Sequence, residues 1–427
     1  MAASLQDWFT NILGVQSVAE FGAQQPQYQH DPAVLAEVDC SSYLLSNPEG
    51  FERTSLAFFK DNLAVVPEWG GGSIKSSWLN VESADAGLVG CMQKTKTASF
   101  IAFDEAFLEL IGTEAKLQTI QSFEGEDANH VHEAPVYLSQ TGELVFADTS
   151  VIGWLWALDV ETHETRKIRT SPPLHNVNGA THYDSRLYLT TNGSPTPAVW
   201  NCSLPTKPGQ TSATDETITC SMVVNNYRLA HLNSPNDLIF TSQGNILFTD
   251  PAYGWAQSWP GVGPPELPTA IYFFHTGSKK LLVLSNNEVL HPNGLALSAD
   301  EKTLYIAESN STSGKPIGVW DDSVRNVYAF DFDEDTRRLG NKRLVHVVER
   351  GWPDGLRLSN LRNGRELLLV AGMGGVDVVD TTDGGAGVLL GKFNVGDDIV
   401  FNLEPVGKTG VWFLTGKKGV YKVTIAE

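Results

Sequence analysis

No stretch of this chain carries the ~18 uninterrupted apolar residues that a membrane-spanning helix needs, so no membrane partner is expected. Basic residues are scarce: 30 Lys and Arg stand against 50 Asp and Glu, a formal charge of −20. A nucleic-acid binder needs a basic footprint to displace counterions, and that class is excluded. The acid excess serves solubility first, and it is compatible with a hard cation or a neutral small-molecule substrate. No Gly-x-Ser-x-Gly turn occurs, which leaves a serine-hydrolase elbow without support. His and Cys clusters with zinc-like spacing are also missing.

Cysteine is sparse, with four residues at 40, 91, 202 and 220, which allow three pairings. Cys202 and Cys220 flank a polar loop, TKPGQTSATDET, between two apolar runs, and are expected to staple neighbouring strands. Asn201-Cys-Ser and Asn310-Ser-Thr read as glycosylation sequons. These features favour secretion, although the opening MAASLQDWFTNILGVQSV lacks the basic n-region of a signal peptide. A cytoplasmic location is the alternative, and the oligomeric state is left open.

What the chain does have is 39 Gly, 21 Pro and many short apolar runs between turn residues, the mark of many short strands. From residue 133 one unit recurs: a polar residue, an apolar triplet, a turn and a second apolar strand. The clearest copies are HEAPVYLSQTGELVFAD from 132, SPNDLIFTSQGNILFTD from 234 and HPNGLALSADEKTLYIAE from 291. WPDGLRLSNLRNGRELLLVAG from 352 is a fourth, and weaker copies begin at 178 and 401. The leading polar residues, Glu133, Asn178, Asn236, Asn293, Asp354 and Asn402, follow one another at intervals of 45, 58, 57, 61 and 48 residues. With a third and often a fourth strand in each interval, the pattern predicts an all-β, six-bladed β-propeller over residues 96–427. A Greek-key sandwich also has short strands at regular spacing, but it does not explain one polar position recurring in every unit.

Residues 1–95 fall outside the repeat and read as an irregular or partly helical extension, with WGGGSIKSS from 69 as a linker. SFIAFD at 99–104 is expected to pair with GVYKVTI at 419–425 and close the ring.

In a propeller the innermost strands line the central channel, so their opening residues converge. Taken singly, Asn236-Asp237 and Asn293-Gly294 are ordinary turn dipeptides. Together, Glu133, Asn236, Asn293 and Asp354 form a hard-oxygen set of the kind Ca²⁺ prefers, with two negative charges for one divalent cation. His132 and His291 sit beside channel positions and are candidate proton acceptors, with His130 and His231 as further candidates. Each could equally be a packed, hydrogen-bonded histidine. Trp255, Trp259 and Trp352 are candidates for an aromatic substrate pocket, which favours a larger, apolar substrate over a small polar one.

HEAPVY, SPNDL, FTDPAYG, HPNGLALSADEKTLYIAE and WPDGL resemble, in order, the motifs of the senescence-marker-protein/gluconolactonase family, most nearly its fungal lactonohydrolases. The resemblance covers residues 99–425. It implies a Ca²⁺-dependent lactonase, other divalent cations being accepted in some members. Glu133, Asn293 and Asp354 are then metal ligands, Asn236 holds a water or the substrate at the metal, and Asp237 supports it. Asn178 and Asn402 fall to substrate binding. Animal gluconolactonases carry an arginine two residues before the Asn236 position; here it is Ser234, which puts that sugar-acid contact in doubt. Asp354 is the leading proton acceptor. The alternatives are a cyclase or pericyclase of fungal secondary metabolism on the same scaffold, and a non-catalytic binding propeller.

Overall fold

The computed structural model describes residues 39–60, 86–125, 130–193, 196–206, 216–315, 317–320, 322–360, 364–384, 386–407 and 409–425. The predicted linker at 69–77 and most of the N-terminal extension lie outside them.

The architecture is all-β and propeller-like, built from antiparallel meanders in chain order. His132–Leu138, Glu143–Asp148, Trp154–Asp159 and Thr165–Ser171 pair successively. Val177–Tyr183, Arg186–Thr191, Ala198–Cys202 and Glu216–Val224 repeat the arrangement. So do Leu238–Phe240, Ile246–Asp250, Ala270–His275 and Lys280–Ser285. Pro292–Leu297, Thr303–Glu308, Asn326–Asp333 and Arg338–Val347 follow. The first strands His132–Leu138 and Pro292–Leu297 are nearly all buried, whereas Thr165–Ser171 at an outer edge alternates exposed and buried. That contrast is expected when inner strands are covered on both faces and outer strands on one.

The last third of the chain departs from regularity. Val388–Pro405 is one 18-residue strand that serves two sheets. Its first part pairs with Glu366–Asp380 and its last part with Val411–Gly416. Gly396, at φ 72°, supplies the left-handed residue where the strand changes direction.

The ring closes differently from the sequence expectation. Gly419–Thr424 pairs with Lys116–Ser122, not with residues 99–104. Phe100–Ala102 instead pairs with Gly391–Phe393 of the long strand, and Leu56–Phe59 adds beside it in parallel. The reason is composition. Phe100, Ile101 and Ala102 are wholly buried and need cover on both faces, while KLQTIQS at 116–122 is half polar and suits an outer edge. Asp104 caps the following helix, Glu105–Ile111, by accepting from the Ala106 amide at 2.8 Å.

First strands also touch each other in cyclic order: His132–Leu138 with Val177–Tyr183, then Leu238–Phe240, Pro292–Leu297, Leu356–Asn360 and Val388–Pro405, which returns to His132–Leu138. The apolar core lies between adjacent sheets. One such layer joins Leu247, Ile271 and Phe273 to Leu295, Ile306 and Phe330.

Candidate active site

Four of the leading polar positions lie at or beside register irregularities in their strands. Shifts occur between Glu133 and Val136, opposite Asn178, between Pro292 and Leu295, and between Val400 and Asn402. A bulge re-aims a side chain that regular pleating would send to the sheet face. Ala134, beside Glu133, takes φ 58°, a left-handed conformation that costs a non-glycine residue about 1–2 kcal/mol.

The glycines of the Asn-Gly and Asp-Gly dipeptides serve a different purpose from a turn. None of Gly179, Gly294 or Gly355 has positive φ. A Cβ on Gly179 would collide with the Asn236 carbonyl, on Gly294 with the Asp354 carbonyl, and on Gly355 with the Asn402 side chain. Each glycine therefore lets one unit's backbone abut the polar residue of the next. Hydroxyls add clasps: Thr249 Oγ1 donates to the Asn293 carbonyl at 2.9 Å, and Ser309 Oγ to the Pro353 carbonyl at 2.6 Å.

This geometry brings Glu133, Asn178, Asn236, Asn293 and Asp354 to one pocket, with Trp352 in its wall. Hydrogen bonds decide which atom each presents. Asn178 Oδ1 accepts from Asn192 Nδ2, so its own amide N–H groups are left to face the pocket. Asn293 uses Nδ2 on Ser309 Oγ at 3.2 Å, leaving its oxygen. Asn236 Oδ1 is buried with no hydrogen-bond partner. Asp354 Oδ2 accepts from the Trp352 indole at 2.8 Å. Two amide oxygens, of Asn236 and Asn293, and two carboxylates, of Glu133 and Asp354, thus converge where Asn178 offers amide hydrogens.

The acids here are out of their ordinary range. Burial, together with the Asp354 and Asp237 charges, pushes Glu133 well up. Burial pushes Asp354 up to about 7, against the hydrogen bonds from Trp352 and Asn293. Asp237 is raised by burial despite Arg357, whose guanidinium lies 3.9 Å from it and 3.1 Å from Glu404. Asp237 Oδ2 also lacks a hydrogen-bond partner. One fixed cation therefore faces four buried carboxylates, an imbalance that a divalent cation corrects. The donor chemistry, the orphaned Asn236 oxygen and the charge deficit all fit Ca²⁺. Among the described residues no cluster of three His, Cys, Asp or Glu side chains forms a site without the amides.

Several sequence candidates fall elsewhere. The His132 ring stacks on Phe123 at 3.7 Å, and its Nδ1 bonds the Gly416 carbonyl, so it is a packing residue. His130 bonds Asp148, and His231 is exposed outside the pocket. His291 is half-buried, its ring 5.9 Å from the Tyr253 ring and outside the pocket lining. Asn402 is not part of the pocket lining; its Nδ2 donates to Glu133 at 3.1 Å and its Oδ1 accepts from the Leu403 amide. Trp255 lies under Lys315, and Trp259 reaches the pocket only through Gln257, whose Oε1 accepts its indole at 2.6 Å. Ser234 organises the neighbouring loop, accepting from the Gly254 amide at 2.8 Å.

Sequence reasoning missed Tyr253, Gln257, Thr312 and Ile317, which also line the pocket, with Val131 and Phe401. Tyr253 stands inside the FTDPAYG motif and Phe401 opens a weak copy of the repeat; Val131, Gln257, Thr312 and Ile317 lie outside the repeat and carry no periodic signal. A wider groove of about 770 Å³, bordered by Asp300, Glu301, Asp331 and Asp333, is open surface whose acids bond neighbouring turn residues.

A family model described as the SMP-30/Gluconolactonase/LRE-like region matches residues 131–395. The lactonohydrolase oryL of Aspergillus oryzae is 29% identical over 324 residues, covering 70% of this chain and 69% of that protein. A gluconolactonase of Zymomonas mobilis is 33% identical over 152 residues, 34% of this chain and 38% of its own. The solved gluconolactonase of Xanthomonas campestris matches with a TM-score of 0.59 at 24% identity, covering 77% of this chain and 95% of that one, a likeness of fold.

Proposed function

This chain belongs to the SMP-30/gluconolactonase/LRE-like family, a family of lactonase-type hydrolases, and on that premise we propose that it is a Ca²⁺-dependent lactone hydrolase on a six-bladed propeller. The carrying observation is the convergence of Glu133, Asn236, Asn293 and Asp354 on one buried pocket whose Asn236 oxygen has no protein partner. The sheet pairings and the cyclic contact of the first strands support the six-blade reading.

Glu133, Asn236, Asn293 and Asp354 would hold the cation. When bound, Ca²⁺ supplies charge balance and Lewis-acid polarisation of an ester carbonyl. Asn178 presents amide hydrogens to an oxygen of the substrate, and its Asn192 bond fixes that orientation. Asp354 is oriented through Oδ2 by Trp352, so Oδ1 is the atom that takes the proton from attacking water. The acyl–oxygen bond of the ring then breaks, and the ring oxygen leaves as the alcohol of the hydroxy acid by taking the proton that Asp354 holds. Val131, Ile317, Trp352 and Phe401 form an apolar wall that excludes bulk water and suits an apolar substituent on the lactone. Two disulfides, Cys40–Cys91 and Cys202–Cys220, support an oxidising compartment and hence secretion.

The test is metal content followed by a lactone panel with EDTA treatment and Ca²⁺ add-back. Hydrolysis lost in EDTA and restored by Ca²⁺ is the expected result. Bound metal with every lactone untouched would overturn it and favour the cyclase alternative.

A further inference from the structure

Tyr253 sits on a single helical turn, Tyr253–Ala256, that the structure holds firmly. Ser234 Oγ accepts the Gly254 amide, and Gly254 is pressed so close to the Asn192 carbonyl that a Cβ would not fit. The ring packs with Ile317, Trp352 and Phe401, and the side chain lines the same pocket as Glu133 and Asp354. The residue is 5% exposed, yet its hydroxyl has no hydrogen-bond partner.

Buried hydroxyls are normally paired, and an unpaired one in a binding pocket calls for an explanation. The nearest candidates do not supply it. The Ser309 and Thr312 hydroxyls lie near enough to the phenol to offset part of the upward push of burial, but neither meets hydrogen-bond distance and angle with it. Both give their protons to carbonyls, Ser309 to Pro353 and Thr312 to Ser309, so neither donates to the phenol oxygen. The side chain is also immobilised by packing, so the hydroxyl cannot swing out to solvent. It is a donor held in place within the lining of the pocket.

We propose that Tyr253 is a substrate-binding residue whose hydroxyl donates a hydrogen bond to an oxygen acceptor of the lactone, on the side of the pocket walled by Trp352 and Ile317. This rests on the lactonase reading above and extends it to specificity. Asn178 and Tyr253 are two neutral donors on a pocket that also presents the Gln257 amide and the Thr312 hydroxyl among oxygen acceptors and apolar carbon. They select a ligand with two oxygen acceptors, the carbonyl and ring oxygens of a lactone, joined to an apolar body. A polyhydroxylated lactone would leave most of its hydroxyls against the apolar wall. Burial, with Asp354 and Glu308 nearby, pushes the phenol further above its ordinary value, so it donates a hydrogen bond and is not the proton source for the leaving alcohol.

The experiment compares wild type with Tyr253→Phe, using dihydrocoumarin as an aromatic lactone and glucono-δ-lactone as a polyhydroxylated one. Product binding is measured by calorimetry with 3-(2-hydroxyphenyl)propanoate. Removing one neutral hydrogen bond should lower kcat/KM for dihydrocoumarin about tenfold and weaken product binding by a similar factor. Melting temperature and Ca²⁺ affinity should hold, because the hydroxyl has no protein partner to lose. Unchanged kcat/KM and product binding in Y253F overturns the proposal. So does a fall in melting temperature that accompanies and accounts for the activity loss, which would make the hydroxyl structural. Faster turnover of glucono-δ-lactone than of dihydrocoumarin by wild type overturns the specificity argument. If wild type hydrolyses neither lactone, the lactonase reading fails by itself. The product-binding comparison then decides Tyr253, and equal binding or no binding to the two proteins rejects its role.

Discussion

Asn402 donates its side-chain amide to Glu133 Oε2 at 3.1 Å, across 269 residues of sequence. The bond joins the last sheet of the ring to the first at the floor of the pocket. It also supplies a donor to a carboxylate that burial and its acidic neighbours otherwise drive toward the protonated state.

Asn402→Ala should therefore act through Glu133. Cation affinity is expected to fall by about tenfold at neutral pH, the scale of one hydrogen bond to a charged group, with circular dichroism unchanged. Raising the pH should recover part of the loss, since the effect works by favouring protonated Glu133. Affinity that is equally weak at pH 7 and pH 9 would assign Asn402 a purely steric role.

Removing a carboxylate should differ from removing an amide. Asp354→Ala and Glu133→Ala each delete one of two charges facing the cation and should abolish most bound metal and most activity. Asn236→Ala should retain most of the metal while lowering turnover, because a neutral amide contributes to positioning more than to charge balance. Metal analysis of the purified variants reads the ranking. An empty site in N236A beside a full one in D354A would invert the assignment.

Cation binding should release protons and strengthen with pH. Without a cation, burial holds Asp354 at about 7 and Glu133 well above its ordinary range. The cation takes the ionised forms, so protons compete with it below these values and the competition ends above them. Calorimetry in two buffers of different ionisation enthalpy should give a proton count that falls as pH is raised through 7. A pH-independent affinity between 6 and 8 contradicts the arrangement.

Acid stability should depend on a cluster remote from the pocket. Burial by itself would raise Asp377, but Lys392 at 2.9 Å and His346 at 2.9 Å outweigh it and hold the carboxyl well below its usual range. A depressed carboxylate contributes stability that is complete above its unfolded value, near 3.9, and is lost as pH falls toward the folded value. Asp377→Asn leaves Lys392 buried without its anion and should cost about 3–5 kcal/mol at pH 7. Urea unfolding at pH 7 and pH 3 should show that gap narrowing in acid. A gap of constant size would mean that shape, not charge, is what the substitution removes.

The disulfide between Cys202 and Cys220 was legible because the two flank one loop between adjacent strands, where they are direct cross-strand partners. Cys40–Cys91 was not, since it ties a segment outside the repeat to helix Ala86–Thr97. Arg357 was equally hidden. In sequence it is one charge in an alternating strand, and only the fold buries it between Asp237 and Glu404.

The sequence by itself determined the strand-rich repeat and the polar position that opens each unit, because both are local and periodic signals in the chain. It also determined that the gathered side chains are carboxylates and amides, with no thiol or imidazole at the leading positions. The tertiary structure alone decided which atom each donor presents, because Asn178, Asn293 and Asn402 are oriented by Asn192, Ser309 and Glu133, partners that local sequence does not specify. It decided likewise that His132 packs on Phe123 while Tyr253 enters the pocket, and that Lys116–Ser122 closes the ring. Spacing can say which residues approach an axis, but hydrogen bonding and burial among distant neighbours fix where their side chains point.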